Sequence, residues 1–572
     1  MKKIGFKNFR RFKELEPLEL GEITMMVGKN NSGKSTLIKA ILLVLDYLKN
    51  QQSDTFSFAD ETLNDVNIVT FGRAKCKLQD DPTIDFYFEI ENYQIELSIS
   101  GDDKLTDANV DKLTIKDINL KLEFVIDYLT QTVRIARKAK GTTPNVQVTD
   151  SKKELLEKIA QLRKDLEKFN KASKEGLRII SQINSLSEKL DEQDELIAQD
   201  TEEQTVDFDY SQEYDLNVLK ISPTGGAILE EIVRDFIALN HEMRVFYNKK
   251  IENKVAEESF AKSGGNEFDE ASDEEFFNNS KQATDDESFF ERSMSFRSTM
   301  STDILFPSEK DEEILEQITA LDDDRYTIQN SISELVELVN TKKIFYLGAN
   351  PSKQSALFNL RDKENALAQA IHQFYQLKIQ KGEPEYQFVE KWINEFEIGE
   401  LFEISFISGE AYKCRVVNNN VKTHLSDMGM GSLQLMQLFF KIASILRQNK
   451  SKTRGIQLIV EEPEISLHPY LQSKLVDFFF DVNHEYGIKF IVETHSDNII
   501  KRTQVVGLSK GLLDNDIENT NPFRVYYFHV DEGPYEMKYT SEGKFNRNFG
   551  EGFYDVSSKS TMELLKINRQ KK

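Results

Sequence analysis

The chain has 572 residues, a formal charge of -24, 39% hydrophobic and 30% charged residues, so it exceeds what one core supports and should combine a well-packed part with a strongly solvated one. The acidic balance excludes a surface that is basic throughout, though not a local basic groove. Two distant cysteines, Cys76 and Cys414, exclude a disulfide framework and a cysteine zinc site, and read as core residues. No apolar run reaches the roughly 18 residues of a membrane span, and charge stands where a secretory leader needs its apolar stretch. A soluble, cytoplasmic protein is expected.

In chain order, the apolar run 23–27 predicts a buried strand, and 36–45 predicts a helix. Between them lies Gly28-Lys29-Asn30-Asn31-Ser32-Gly33-Lys34-Ser35, a complete GxxxxGK[ST] phosphate loop in the strand, loop, helix order it requires. Its glycines permit a backbone whose N–H groups turn inward around phosphates, aided by the helix dipole. Lys34 would reach the β- and γ-phosphates, and the Ser35 hydroxyl would bind Mg²⁺. Residues 83–91 and 93–99 alternate as an antiparallel pair around a turn at Asn92.

Between 151 and 199, Leu155, Ile159, Leu162, Leu166 and Phe169, then Ile179, Ile183, Leu186 and Leu190, hold heptad spacing interrupted at Gly176. A second run, Ile314, Ile318, Leu321, Arg325, Ile328, Ile332, Leu335 and Val339, reads as the returning partner of an antiparallel pair. Between the two come an apolar helix around 228–239 and acidic low-complexity sequence at about 257–303, whose pairs Phe276-Phe277 and Phe289-Phe290 are candidate docking points. Globular patterning then resumes, with a strand at 344–348, a helix at 366–379 and two strands over 401–417. The buried strands 456–460 and 489–492, with a helix between them, predict a parallel sheet. The expected division is 1–140 and 342–572 as the two parts of one head, with 141–341 as a helical, coiled-coil insertion.

The 456–460 strand ends in Glu461-Glu462-Pro463-Glu464. Adjacent carboxylates there can place the first near Mg²⁺ and the second toward an attacking water. The next strand ends in Glu493-Thr494-His495-Ser496, which puts His495 at the carboxyl edge of a parallel sheet as a γ-phosphate sensor. The stretch 425–434 has two glycines and a serine at a helix start, either an anion site or a simple cap.

Together GKNNSGKST (28–36), LSDMGMGSLQ (425–434), LIVEEPEISLHP (458–469) and IVETHSD (491–497) resemble the ABC-type ATPases of the SMC, Rad50 and RecF group. Prokaryotic OLD-like and RecF-like stand-alone ATPases of repair and antiphage operons are the nearest likeness. The opening IGFKNFRRFKE, the strand IFYLG, and VYYFHV followed by FGEGFYDVSSKSTMELL agree. The resemblance covers 1–140 and 342–572. It implies an α/β, ABC-type ATPase head with a mixed sheet, binding ATP and Mg²⁺ through Gly28, Asn30, Asn31, Ser32, Gly33, Lys34, Ser35 and Thr36. Glu461 would stand with Ser35 at the metal, Glu462 would be the catalytic base, 465–468 the D-loop, and His495 the switch histidine. Gly431 and Ser432 would belong to a signature that closes over ATP held by a second subunit, which implies a homodimer. Glu461 stands where aspartate is more widespread, and the signature lacks the common SGG core. Gln79 is the candidate Q-loop glutamine, and Arg10 or Arg11 is a candidate nucleotide neighbour.

The segment after His495 is too short for a Toprim nuclease, and the histidines, spread from His241 to His529, do not cluster as an HNH site needs. Any cutting is expected from a partner. This architecture is similar to the ATPase subunit of Septu-type defence systems, which accompanies a separate nuclease. The alternative is a repair ATPase that contacts DNA itself, with Arg134-Ile-Ala-Arg-Lys-Ala-Lys as its candidate basic run.

Overall fold

The computed structural model describes residues 1–50, 54–59, 68–144, 203–219, 228–262, 309–341, 344–349, 357–359, 365–407, 410–449, 453, 455–513, 521–550 and 552–570. The first heptad run, 151–199, and nearly all of the acidic stretch, including both phenylalanine pairs, lie outside these residues.

A six-stranded sheet runs through the middle in the order Ile344–Leu347, Gln457–Glu461, Lys489–Thr494, Ile23–Gly28, Phe523–His529 and Gly533–Glu536. The first five strands are parallel and the last is antiparallel. Both faces are covered, which is why these strands read as continuous apolar runs. Met26, Ile459, Ile491 and Phe528 face one core, shared with the helix Lys34–Asn50. Met25, Val27, Leu458, Val460, Phe490 and Val492 face the other, which holds the helices Ala366–Gln376, Pro384–Glu395, Met430–Asn449, Pro469–Tyr486 and Asp497–Ser509. Cys76 and Cys414 are both buried and unpaired.

The first core is closed by a nine-stranded antiparallel sheet. It contains the expected pair Thr83–Ile90 and Tyr93–Ser100, turning where Glu91 takes φ 49°. The strand Glu203–Asp215 extends this sheet beside Thr132–Pro144. The helices Ile228–Lys262, Glu309–Asp323 and Arg325–Thr341 lie on it, burying Phe236, Leu321, Ile328, Ile332, Leu335 and Val339. The described part of 203–341 is therefore a wall of the head. The returning heptad run covers a sheet: over a few turns the same apolar stripe serves a coiled-coil seam or a helix on a core. It also breaks at Asp324, between two helices.

Asp324 is buried, and Arg137 Nη1 donates to both its carboxylate oxygens at 2.6 Å. Tyr210 Oη donates to Oδ2 at 2.7 Å. Of the expected basic run, Arg137 is thus engaged in the interior, whereas Arg134 pairs with Glu123 at 2.6 Å and Lys138 with Asp209 at 3.2 Å on the sheet surface, Lys138 staying exposed. Among the described residues no helix is long and apolar enough to cross a membrane.

Arg137→Met strands the buried Asp324 carboxylate. Its unfolding free energy should fall by about 3–5 kcal/mol, read as a lower thermal midpoint. The double variant Arg137→Met/Asp324→Leu should recover much of that loss, and an unchanged midpoint in the single variant would contradict the assignment.

Candidate active site

The strand Ile23–Gly28 delivers its last residue into a loop whose shape depends on glycine. Gly28 has φ 150°, and a Cβ there would lie 2.5 Å from the Phe528 carbonyl oxygen. Gly33 has φ 105°, and a Cβ there would overlap the Phe12 ring. Asn31 between them takes φ 59°, a left-handed conformation that asparagine tolerates. The helix Lys34–Asn50 starts at once, with Thr36 N–H donating to Gly33 O at 3.0 Å. Lys34 is buried and donates Nζ to the carbonyls of Gly28 at 3.1 Å and Lys29 at 3.0 Å. Burial holds its ammonium below the usual lysine range, against the nearby glutamates. The buried Ser32 hydroxyl has no hydrogen-bond partner. An orphaned hydroxyl, left-handed loop residues and a lysine bonded only to main-chain oxygens and a carboxylate fit a triphosphate.

Because the strands are parallel, their carboxyl ends meet beside this loop. Glu461 and Glu493 are register partners on neighbouring strands. The Ser35 hydroxyl donates to Glu493 Oε1 at 3.1 Å and Oε2 at 2.9 Å, and Lys34 Nζ lies 3.7 Å from Oε1. Glu461, the expected metal partner of Ser35, instead accepts from Ala349 N–H at 3.5 Å and is bonded by Tyr346. Glu462 turns back in a left-handed conformation, φ 45°, its N–H donating to Glu493 O at 2.8 Å. Such strain in a non-glycine residue costs of order 1–3 kcal/mol and is concentrated at functional sites. Its Oε1 stands 3.4 Å from His495 Nε2. Burial first, then the Lys34 ammonium, hold His495 below its ordinary value, so the ring is neutral near pH 7. The buried Glu464 accepts from His495 N–H at 2.6 Å and fixes the strand end. Donor atoms of Glu462, Glu493 and His495 all lie within 4.8 Å of one another, a set suited to a divalent cation.

The structure thus brings Lys34, Ser35, Glu462 and His495 to one edge and adds Glu493, which has no role among the sequence expectations. Its signal in the sequence is the carboxylate of Glu493-Thr494-His495, a second acid at a strand end beside the loop. Gly431 differs from expectation. A Cβ there would meet Leu467 Cδ2 at 2.6 Å and Ser466 O at 2.7 Å, so this glycine seats the helix Met430–Asn449 on its own chain's 465–468 turn. Gly429 is the exposed glycine of the pair, with open space around it, and Ser432 is half-buried behind it. Gln434 Nε2 donates to Glu462 O at 3.0 Å. Arg11 lies against Gly33 and donates to Val530 O at 2.7 Å, whereas Gln79 stays in a turn of the antiparallel sheet.

A family model described as "AAA ATPase domain" matches residues 1–500. The chain belongs to this family of ATPases. It is an AAA/ABC-like ATPase of the SMC, Rad50 and RecF type, and the match takes in both the loop and the carboxylate-bearing strands. ATP with Mg²⁺ is what AAA ATPases generally use, and the donor set of this ATPase fits both. No curated protein matches the chain.

Burial, with Glu461 beside it, pushes the Glu493 carboxyl from 4.5 up to about 7, against Lys34 and Ser35. With its folded value raised, Glu493 contributes most to stability below the ordinary carboxylate value, and that contribution is lost as pH rises to about 7. Glu493→Gln cannot ionise. The nucleotide-free variant should exceed wild type in thermal midpoint by a margin that grows from about pH 4.5 to 7, at roughly 1.4 kcal/mol per pKa unit, and then levels off. A margin independent of pH would contradict this electrostatic origin.

Proposed function

We propose that this ATPase dimerises head to head on ATP, each loop being closed by the 425–434 segment of a second copy. Hydrolysis would then regulate a separate DNA-directed effector, a nuclease subunit, in antiphage defence. The observation that carries its hydrolytic part is the 3.4 Å approach of His495 to Glu462 at the edge where Lys34 and Ser35 open the helix.

In this reading Lys34 leaves the loop carbonyls and takes the β- and γ-phosphates. Glu462 accepts the proton of the attacking water, and the neutral His495 orients that carboxylate and senses the γ-phosphate. Mg²⁺, when bound through Ser35 and the strand-end carboxylates, supplies charge neutralisation on the phosphates. Gln434, bonded to the Glu462 carbonyl, and Gly431, seated on the 465–468 turn, tie the exposed helix start to the base. A second copy that approaches Gly429 would therefore press on the residue that activates water.

Support for a partner comes from the helix Val556–Gln570, where Met562, Leu564, Leu565 and Ile567 are 47–61% exposed. Helical spacing spreads these four side chains around the helix, so a partner would have to cover more than one of its faces. The alternative, direct DNA binding, loses Arg137 from its candidate 134–140 run, since that side chain is buried against Asp324, while Lys138 stays exposed.

Lys34→Ala should abolish ATP binding. Glu462→Gln should keep binding and slow hydrolysis by about 10²-fold or more, so that ATP-bound dimers accumulate in light scattering. Hydrolysis at the wild-type rate by Glu462→Gln would overturn the base assignment.

A further inference from the structure

We infer that Glu493 is the principal protein carboxylate for the divalent cation at the phosphate loop, ahead of Glu461. The inference rests on the proposal that the loop binds a nucleotide with its metal. The strand Lys489–Thr494 lies directly between Ile23–Gly28 and Gln457–Glu461, so Glu493 projects one strand spacing, about 4.8 Å, nearer the loop than Glu461. Alternation sends Glu461 and Glu493 to the face shared by Ile459 and Ile491, where the helix Lys34–Asn50 begins. Of the two, Glu493 receives the Ser35 hydroxyl on both its oxygens, at 3.1 and 2.9 Å. Glu461 is turned toward Ala349 and Tyr346 instead.

Charge compensation gives a second, independent reason. Glu493 is 4% exposed, and its one ion-pair partner among the described residues is Lys34, at 3.7 Å. When the Lys34 ammonium moves to the phosphates, Glu493 beside a polyanion must either take a proton or gain another cation. A divalent ion shared by Ser35, Glu493 and the phosphates supplies that cation. Donor atoms of Glu462 and His495 lie within 4.8 Å of the Glu493 oxygen, near enough to orient a water beside that ion. Glu461 then becomes a positioning residue, holding the 344–349 segment through Ala349 and Tyr346 against the site.

The test uses Mn²⁺ with the non-hydrolysable analogue AMP-PNP. Free Mn²⁺ is read by electron paramagnetic resonance in full-length wild type, Glu493→Gln and Glu461→Gln, and analogue binding in EDTA is measured alongside to confirm a folded loop. Glu493→Gln should weaken Mn²⁺ binding about ten-fold or more while retaining analogue binding in EDTA, with a smaller loss for Glu461→Gln. Wild-type Mn²⁺ affinity in Glu493→Gln, or a larger loss in Glu461→Gln, would overturn the inference and leave the loop reading intact. A wild-type protein that takes neither analogue nor Mn²⁺ would overturn the loop reading and this inference with it.

Discussion

Register across a parallel sheet is the constraint on which this molecule depends. Five parallel strands place every carboxyl end at one edge, and the two-residue alternation along each strand divides the side chains between two cores. Slipping any central strand by one residue would turn its apolar set to the wrong core, so the register is strongly specified. The same register aligns Val27 with Thr494, and Glu493 with Glu461. Packing energy spent on two cores thereby fixes a polar constellation that local sequence could not hold, including the left-handed Glu462.

That edge is mechanically joined to the rest of the head. The helix Arg325–Thr341 packs in the core of the antiparallel sheet and leads toward Ile344–Leu347, which pairs with the strand that ends at Glu461. Tyr346 and Ala349, on and just beyond that strand, hold the Glu461 carboxylate. At the far end of the same helix, the buried Arg137–Asp324–Tyr210 cluster anchors the break between the two helices to the sheet. A movement of the wall thus has a covalent and hydrogen-bonded route to the carboxylates.

Much of this was legible beforehand, for physical reasons. The strands at 23–28, 457–461 and 489–494 are buried on both faces and 344–347 is half-buried at the sheet edge, so their apolar runs stand out, and the loop motif carries its own backbone logic. The helix Pro384–Glu395, with Phe388, Val389, Trp392 and Ile393 buried, is absent from the sequence expectations although proline opens it and its apolar residues recur at helical spacing. The returning heptad run suits half of a coiled coil equally well, because periodicity reports a stripe and not what covers it. Strand order is a tertiary fact. Without it, Glu461 and Glu493 cannot be ranked by distance from Ser35, and Gly431 cannot be distinguished from Gly429 as the glycine that seats the helix on its own chain.

The proposed switch makes each edge half of a site, so the decisive measurement is complementation between two defective chains. Lys34→Ala removes a chain's phosphate grip, and Ser432→Arg blocks its exposed helix start; a mixed dimer retains one site with both halves intact. ATP hydrolysis should be absent from each variant alone and should return on mixing, rising with total protein concentration. Hydrolysis by Ser432→Arg alone at the wild-type rate, or no recovery on mixing, would contradict a site shared between two copies.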